Sequence, residues 1–485
     1  MGGLPPAVWA FAFAKVSLHV ATTRLSFHRD ELYFIAASKR LAASYVDFQP
    51  MTPLLVRGFR TVFGDSLIGI RLIPALAGAL VVVLAALLAK EFGGDRRAQA
   101  FAAFAAFAVP LFVGANSALN TVSLEIPAWL VVALLLARTE RTDDPRSWIW
   151  VGAAIGAALL VKFTVLGYLV GVPVAVAATP LRRHLRTPWP WAGALVALAI
   201  AAPSLLWQAQ HSFPVIGFVQ NQSGGGKVLG LSGRLGYLAS LVILPGPIGL
   251  FLSIPGLRWL FAEPSRRAVA LSTAAPLVVF LIASGKGYYA SPALAVAFVA
   301  GAVAVVQKRG TVPRWLSVAL VINLLLPLPL LVPVVPTSLL AQSKDLAQAT
   351  ELGERLGWDD LARQTRDVLD GLSLADQQRA VVIGTNYAIP AAIEYHATRY
   401  DLPLAVSGHN SAYLWWPDEP DDHVAVMIGF DEADAERLYA DVERVGTVRN
   451  DAGVHNYEWG DPIHVAREAR YPWEEIRRRL KVFTA

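Results

Sequence analysis

The chain has no cysteine and only three methionines among 485 residues. Without thiols there is no disulfide, no thiolate nucleophile and no cysteine-built metal site. Charge is scarce as well: Asp, Glu, Lys and Arg make up 16%, against about a quarter in soluble domains. Acids are missing above all from the first two thirds. Up to Pro336 there are 11 Asp and Glu against 27 Lys and Arg. Also absent are a Walker sequence, a dinucleotide-type glycine fingerprint and an HExxH pair. His28, His211, His396, His409 and His423 show no metal-ligand spacing.

What is abundant is apolar sequence, 55% of the chain. A membrane span takes roughly 20 apolar residues. About eleven such stretches precede residue 337, near 6–23, 67–89, 97–115, 118–137, 148–161, 164–179, 191–208, 236–257, 268–284, 288–306 and 315–336. The first lacks a basic leader and is expected to be retained as a span. The expected class is mainly α: a polytopic helical bundle, residues 1–337, followed by an extracytoplasmic α/β domain, residues 338–485. The tail holds 26 of the 37 acids and follows the Pro-rich run Leu326–Pro336. "AVVIGTNYAIPAAIEYHA" reads as strand, turn and helix, and "DHVAVMIGFDEADAERLYADVERV" is expected to repeat it.

Loop charge sets the orientation. With the N-terminus cytoplasmic, five loops fall inside, each with three basic residues: Lys90/Arg96/Arg97, Arg138/Arg141/Arg146, Arg182/Arg183/Arg186, Arg258/Arg266/Arg267 and Lys308/Arg309/Arg314. Residues 24–66, Lys162, residues 209–235, Lys286 and the tail then share the outer side of the membrane. Basic charge is thus explained by loops, and no nucleic-acid partner is implied. Residues 24–66 carry two segments expected to lie as amphipathic helices in the interface, separated by Pro50 and Pro53.

The adjacent carboxylates Asp30 and Glu31 stand out in "FHRDELYF". Acids at a helix start also favour the helix dipole, so dipole and chemistry compete as explanations. A transferase acting on a hydroxyl or amine needs a general base, and a second carboxylate can orient it or bind substrate. Glu125 lies inside an expected span, where ionisable groups usually serve function. Lys162 and Lys286 compete with a snorkelling explanation. Lys286 sits between glycines beside Tyr288 and Tyr289, which suits a phosphate. Arg57 is a further candidate binding cation on the outer side. The Gly-rich loop Gln210–Gly230 reads as a connector.

Five stretches in order resemble the GT-C superfamily of glycosyltransferases, in particular family 39, which is protein-mannosyltransferase-like and includes aminoarabinose transferases. They are "RDELYFIAASKRLAASYVDFQPMTPLL", "FGDSLIGIRLIPALAGAL", "LLWQAQHSFPVIGFVQNQ", "SGKGYYASPALAVAFVAGA" and "VIGTNYAIPAAIEYHA…LAVSGHNSAYLWWP". The resemblance implies a polyprenyl-phosphate-sugar donor and transfer on the outer face to a lipid, glycan or protein acceptor. It implies a catalytic acid at Asp30, with Glu31 beside it, an acidic position at Glu125 and a phosphate ligand at Lys286. The family's His-Pro-Pro segment is met only loosely by Gln49-Pro50. Metal use varies within the superfamily, so no cofactor is carried over, and a divalent metal stays open. The rival classes are a transporter or flippase for a lipid-linked sugar, transporters commonly showing repeated halves, and a non-catalytic membrane scaffold. No internal repeat is seen.

Overall fold

The computed structural model describes residues 3–222, 230–418 and 422–484. Its first part is helical: α1 Pro6–Ala21, α2 Arg29–Lys39, α3 Met51–Phe63, α4 Leu67–Glu91, α5 Arg96–Ala108, α6 Pro110–Ala115, α7 Thr121–Thr142 and α8 Trp148–Leu159. There follow α9 Val165–Leu169, α10 Gly171–Ala178, α11 Trp189–Gln210, α12 Pro214–Gln222, α13 Leu231–Ile243, α14 Gly246–Ala262, α15 Arg267–Ile282, α16 Ser291–Arg309 and α17 Arg314–Leu325. The Gly-rich stretch 223–229 lies outside the described residues.

Among the described residues, five helical segments are long and apolar enough to cross a membrane: Leu67–Glu91, Thr121–Thr142, Trp189–Gln210, Pro264–Ile282 and Gly287–Arg309. Counting two sharply bent pairs, 165–186 and 231–262, gives up to seven. The expected count of about eleven is not reproduced. Backbone breaks account for part of the difference. The stretch 97–115 divides at Val109–Pro110, where proline cannot donate to the preceding turn. Residues 236–257 divide at Pro245–Gly246, where Gly246 takes a positive φ of 71°. The helices α1 and α17 have only 16 and 12 residues.

Small residues let the helices approach closely. A Cβ at Gly152 of α8 would lie 1.9 Å from the Gly193 carbonyl oxygen of α11. Gly256 of α14 and Gly301 of α16 repeat the device, with a Cβ at Gly256 2.0 Å from the Ala297 carbonyl oxygen. Lipid offers no hydrophobic drive between helices, so contact of this kind carries much of their association.

Contacts sort the loops onto two ends. At one, Arg96 bonds the Gly3 carbonyl (3.0 Å), Arg97 the Gly310 carbonyl (3.1 Å), and Arg141 pairs with Glu91 (2.7 Å). Arg183 pairs with Asp143, and Glu140 accepts the Ala268 N–H at 2.9 Å. All five basic loops therefore meet the end that holds the start of α1. The first long loop and the tail occupy the opposite end, where Gln208 donates to the Tyr45 carbonyl at 2.8 Å.

The tail continues with α18 Leu328–Leu331, α19 Thr337–Ala341, α20 Lys344–Ala349, α21 Trp358–Asp370, α22 Leu374–Gln378, α23 Ala388–Tyr400, α24 Glu432–Glu436 and α25 Trp473–Arg479. Its strands are β1 Ala380–Gly384, β2 Ala405–Ser407, β3 Val424–Ile428, β4 Tyr439–Thr447 and β5 Pro462–Ala469, in the order β2-β1-β3-β5-β4. The strands β2, β1 and β3 run parallel, while β5 and β4 are antiparallel additions. The first strand–turn–helix unit forms as expected. The second does not: after β3 only the short α24 forms, and "YADVERVGT" is β4. Its valines and bulge at Arg444–Gly446 suit an edge strand paired with β5.

Only α3 fits the expectation of an interfacial helix, with Leu54, Val62 and Phe63 exposed. In α2 every residue from Glu31 to Ser38 is buried. The tail explains the difference, because Leu32, Phe34 and Ile35 share one apolar core with Trp358, Leu361, Ile389 and Ile393.

Candidate active site

Local sequence fixes the start of α2. His28 is its N-cap: its Nδ1 accepts the Asp30 N–H at 3.2 Å, and Glu31 Oε2 accepts the His28 N–H at 2.8 Å. This reciprocal capping satisfies two otherwise orphaned amides. It also sends the two neighbouring carboxylates to different places.

Glu31 turns inward and is fully buried. Arg71 Nη2 meets its Oε2 at 3.0 Å, Arg71 Nε its Oε1 at 3.1 Å, and the Leu119 N–H donates to Oε1 at 3.0 Å. Burial pushes the Glu31 carboxyl up, but Arg71 and the other donors outweigh it and hold it below the usual range. Both oxygens are thus engaged, so Glu31 has no lone pair turned to an open space.

Asp30 is half-buried, and its Oδ1 accepts the Tyr387 hydroxyl at 2.7 Å. The Tyr387 ring stacks on Tyr33 (centroids 4.2 Å, 19°) and on His409 (5.3 Å, 22°). The Arg29 guanidinium lies 5.0 Å from the Tyr387 centroid and 5.2 Å from that of Tyr457. Burial, then the Asp30 charge, hold the Tyr387 hydroxyl well above its ordinary pKa, so it remains a neutral donor. Asp47 stands close by. Its Oδ1 accepts from Tyr33 (3.0 Å) and Ser411 (2.9 Å), and burial pushes its carboxyl up to about 7.

The second half of the site comes from the helical bundle. Glu125 of α7 is buried, ion-paired with Lys162 at 3.2 Å and bonded to the Thr164 hydroxyl. The Lys162 ammonium lies 5.1 and 5.0 Å from the Tyr288 and Tyr289 centroids. Lys286 precedes those tyrosines and, among the described residues, has no carboxylate within 4 Å. It feels the charges of Lys162, Glu351 and Asp30. Crowding by surrounding protein, first, and Lys162, second, lower its pKa.

The structure therefore brings Asp30, Lys286, Lys162, Glu125, Tyr288 and Tyr289 into one electrostatic neighbourhood. Glu31 lies behind it. Arg57 is apart: it is exposed, and it bonds the Ser38 carbonyl (3.2 Å) near the other end of α2. Ser38 is eight residues from Asp30, about 12 Å along a helix. No group of three or more His, Asp or Glu side chains is placed to hold a metal among the described residues.

An apolar groove of about 430 Å³ opens between α3, α4, α7 and α8, lined by Leu55, Phe59, Leu76, Leu80, Leu124 and Val161. Leu124 and Val161 of its lining neighbour Glu125 and Lys162 in sequence, but the ion pair itself does not line it.

Sequence reasoning missed Arg71, Tyr387, Arg29, Asp47 and Arg355. Arg71 carried a signal, an arginine within the apolar run "LIGIRLIP". Arg355 is buried and bonds Ser117 through its carbonyl (3.1 Å) and hydroxyl (2.8 Å), with its pKa lowered by burial to about 9. Lys15, fully buried in α1, donates to the Phe112 carbonyl at 3.1 Å and was legible by the same rule as Arg71.

Comparison with known proteins bears on the fold. The crystal structure of ArnT from Cupriavidus metallidurans bound to undecaprenyl phosphate superposes with a TM-score of 0.60 at 18% identity. The match covers 94% of this chain and 97% of that one. This chain has the ArnT fold. The apo state of that ArnT gives a TM-score of 0.57 at 17% identity, over 94% and 97% of the two chains. An oligosaccharyltransferase of Archaeoglobus fulgidus in the apo form gives 0.48 at 13% identity, over 80% of this chain and 64% of that one. The sequence pattern of the dolichyl-phosphate-mannose-protein mannosyltransferase family matches residues 47–207. Comparison with curated protein sequences gives no match. The stretches that carry the resemblance thus lie in a chain with the fold of ArnT, and the mannosyltransferase family pattern covers residues 47–207.

Proposed function

We propose that the protein is a membrane glycosyltransferase that moves a sugar from a polyprenyl-phosphate donor to an extracytoplasmic hydroxyl or amine. The observation that carries this reading is that Lys286, at the end of the molecule opposite the basic loops, lies within range of the charges of both Asp30 and Lys162. The ArnT fold supports it, since that ArnT is bound to undecaprenyl phosphate. The apolar groove between α3, α4, α7 and α8 suits an isoprenoid chain.

The chemistry asked of each group is limited. Lys286 offers charge to the donor phosphate, and Lys162, held by Glu125 against the two tyrosines, adds a second cation. The acceptor oxygen or nitrogen attacks the anomeric carbon as the bond to the phosphate oxygen breaks. The phosphate leaves with the electron pair, and Asp30 takes the acceptor proton. A single displacement inverts the anomeric centre. Retention would ask for a second carboxylate about 5 Å across the sugar, and the carboxyl of Asp47, pushed up to about 7 by burial, is a poorer nucleophile than a fully ionised one. Glu31 acts as a positioning residue that fixes the start of α2 against Arg71.

The deciding experiment is Asp30→Asn in purified protein supplied with a polyprenyl-phosphate sugar. Transfer should fall roughly 10²–10⁴-fold, the range for losing a general base, while donor binding persists. Near-normal transfer by this variant would remove Asp30 as the base.

A further inference from the structure

The tail carries a feature of open α/β sheets that its connections alone define. In these sheets the ligand crevice lies at the carboxyl ends of parallel strands, where successive connections leave in opposite directions. Here β1 lies between the parallel strands β2 and β3. The crevice therefore falls at the turn after β1, residues 385–387, where α23 begins. What fills it is the Arg29–Asp30 corner of the membrane part.

We infer that Tyr387 is a positioning residue of the transferase site: it holds Asp30 Oδ1 so that Oδ2 faces the acceptor. The inference rests on the reading of Asp30 as base. Three observations carry it. The hydroxyl-to-carboxylate distance is 2.7 Å, a short contact of the charge-assisted kind. The ring cannot swing, because Tyr33 and His409 both stack on it and Arg29 sits over it. Arg29 is itself anchored by the tail, 3.8 Å from Glu354 Oε2. A carboxylate with one oxygen pinned keeps its other oxygen in a fixed direction, which is what a base in a displacement requires. The tail is then part of the active site rather than an appended module.

Tyr387→Phe isolates the hydroxyl, because the phenyl ring keeps its stacking partners. In the full-length protein kcat should fall roughly 10–100-fold, as for losing a hydrogen bond to a charged acceptor, with donor affinity unchanged. A double-variant cycle separates this from damage to the fold. If Tyr387 acts through Asp30, adding Tyr387→Phe to Asp30→Asn should lower the residual rate no further. A further loss in the double variant would overturn the inference in favour of a structural latch. Wild-type kcat in Tyr387→Phe, with Asp30→Asn inactive, would overturn it while leaving Asp30 as the base. Full activity of Asp30→Asn would overturn the base reading and this inference with it.

Discussion

Two adjacent carboxylates differ here because helix geometry separates neighbours by about 100°. Asp30 faces the tail and Glu31 faces Arg71. Replacing Glu31 by Gln leaves the buried Arg71 guanidinium without its counter-charge, at a cost of about 3–5 kcal/mol. Glu31→Gln should therefore lower the unfolding midpoint in detergent, whereas Asp30→Asn should leave it near wild type. Asp47 makes a different prediction. Its carboxyl is raised from 3.8 to about 7 by burial, so between those values the folded state binds more protons than the unfolded one. The Asp47 contribution therefore destabilises progressively as pH climbs from about 4 to 7 and then levels off. Asp47→Asn should flatten that part of the stability-against-pH curve, read by thermal unfolding against wild type.

Among the elements, those set by local rules were the legible ones. The helix start at Asp30-Glu31 and the β1-turn-α23 unit were readable in "RDELYF" and "VVIGTNYAIP", whereas the His28 cap was not read. Helix number did not, because hydropathy sums across breaks at Pro110 and Pro245 that end a helix without ending an apolar stretch. The β4 strand was misread because "DEADAERLYADVERV" has helix-forming composition, and pairing with β5 overrides propensity. The glycine seam between α8 and α11 gives the element-scale prediction. Gly152→Val places a side chain against the Gly193 backbone, where a Cβ would already lie 1.9 Å from the carbonyl oxygen. The helices must part, and the variant should lose stability by several kcal/mol or fail to accumulate in the membrane. The same change at Gly58, which has open space around it, should be mild.

At the scale of the whole molecule, charge bias separated the two ends, and the contacts group the basic loops as that bias required. The tail's place was not legible. Composition marks a boundary near Pro336, but it does not say that α2 will be buried between tail and bundle, since apolar residues do not name their partners. Our reading puts the tail outside the cytoplasm. A cysteine introduced at the exposed Ser373 into this cysteine-free chain should react with an impermeant thiol reagent in intact spheroplasts. Protection until lysis would reverse the orientation.

The bond from Tyr387 to Asp30 spans 357 positions of sequence. At a synthesis rate of about 5–20 residues per second, Asp30 leaves the ribosome roughly 20–70 s before Tyr387 does. On the reading proposed above, the nascent chain passes that interval with its lipid-facing groove built and its base unaligned. A chain stalled before the tail would lack the bond that aligns Asp30 and, on that reading, would turn donor over more slowly. Completion of synthesis then acts as the step that arms the enzyme.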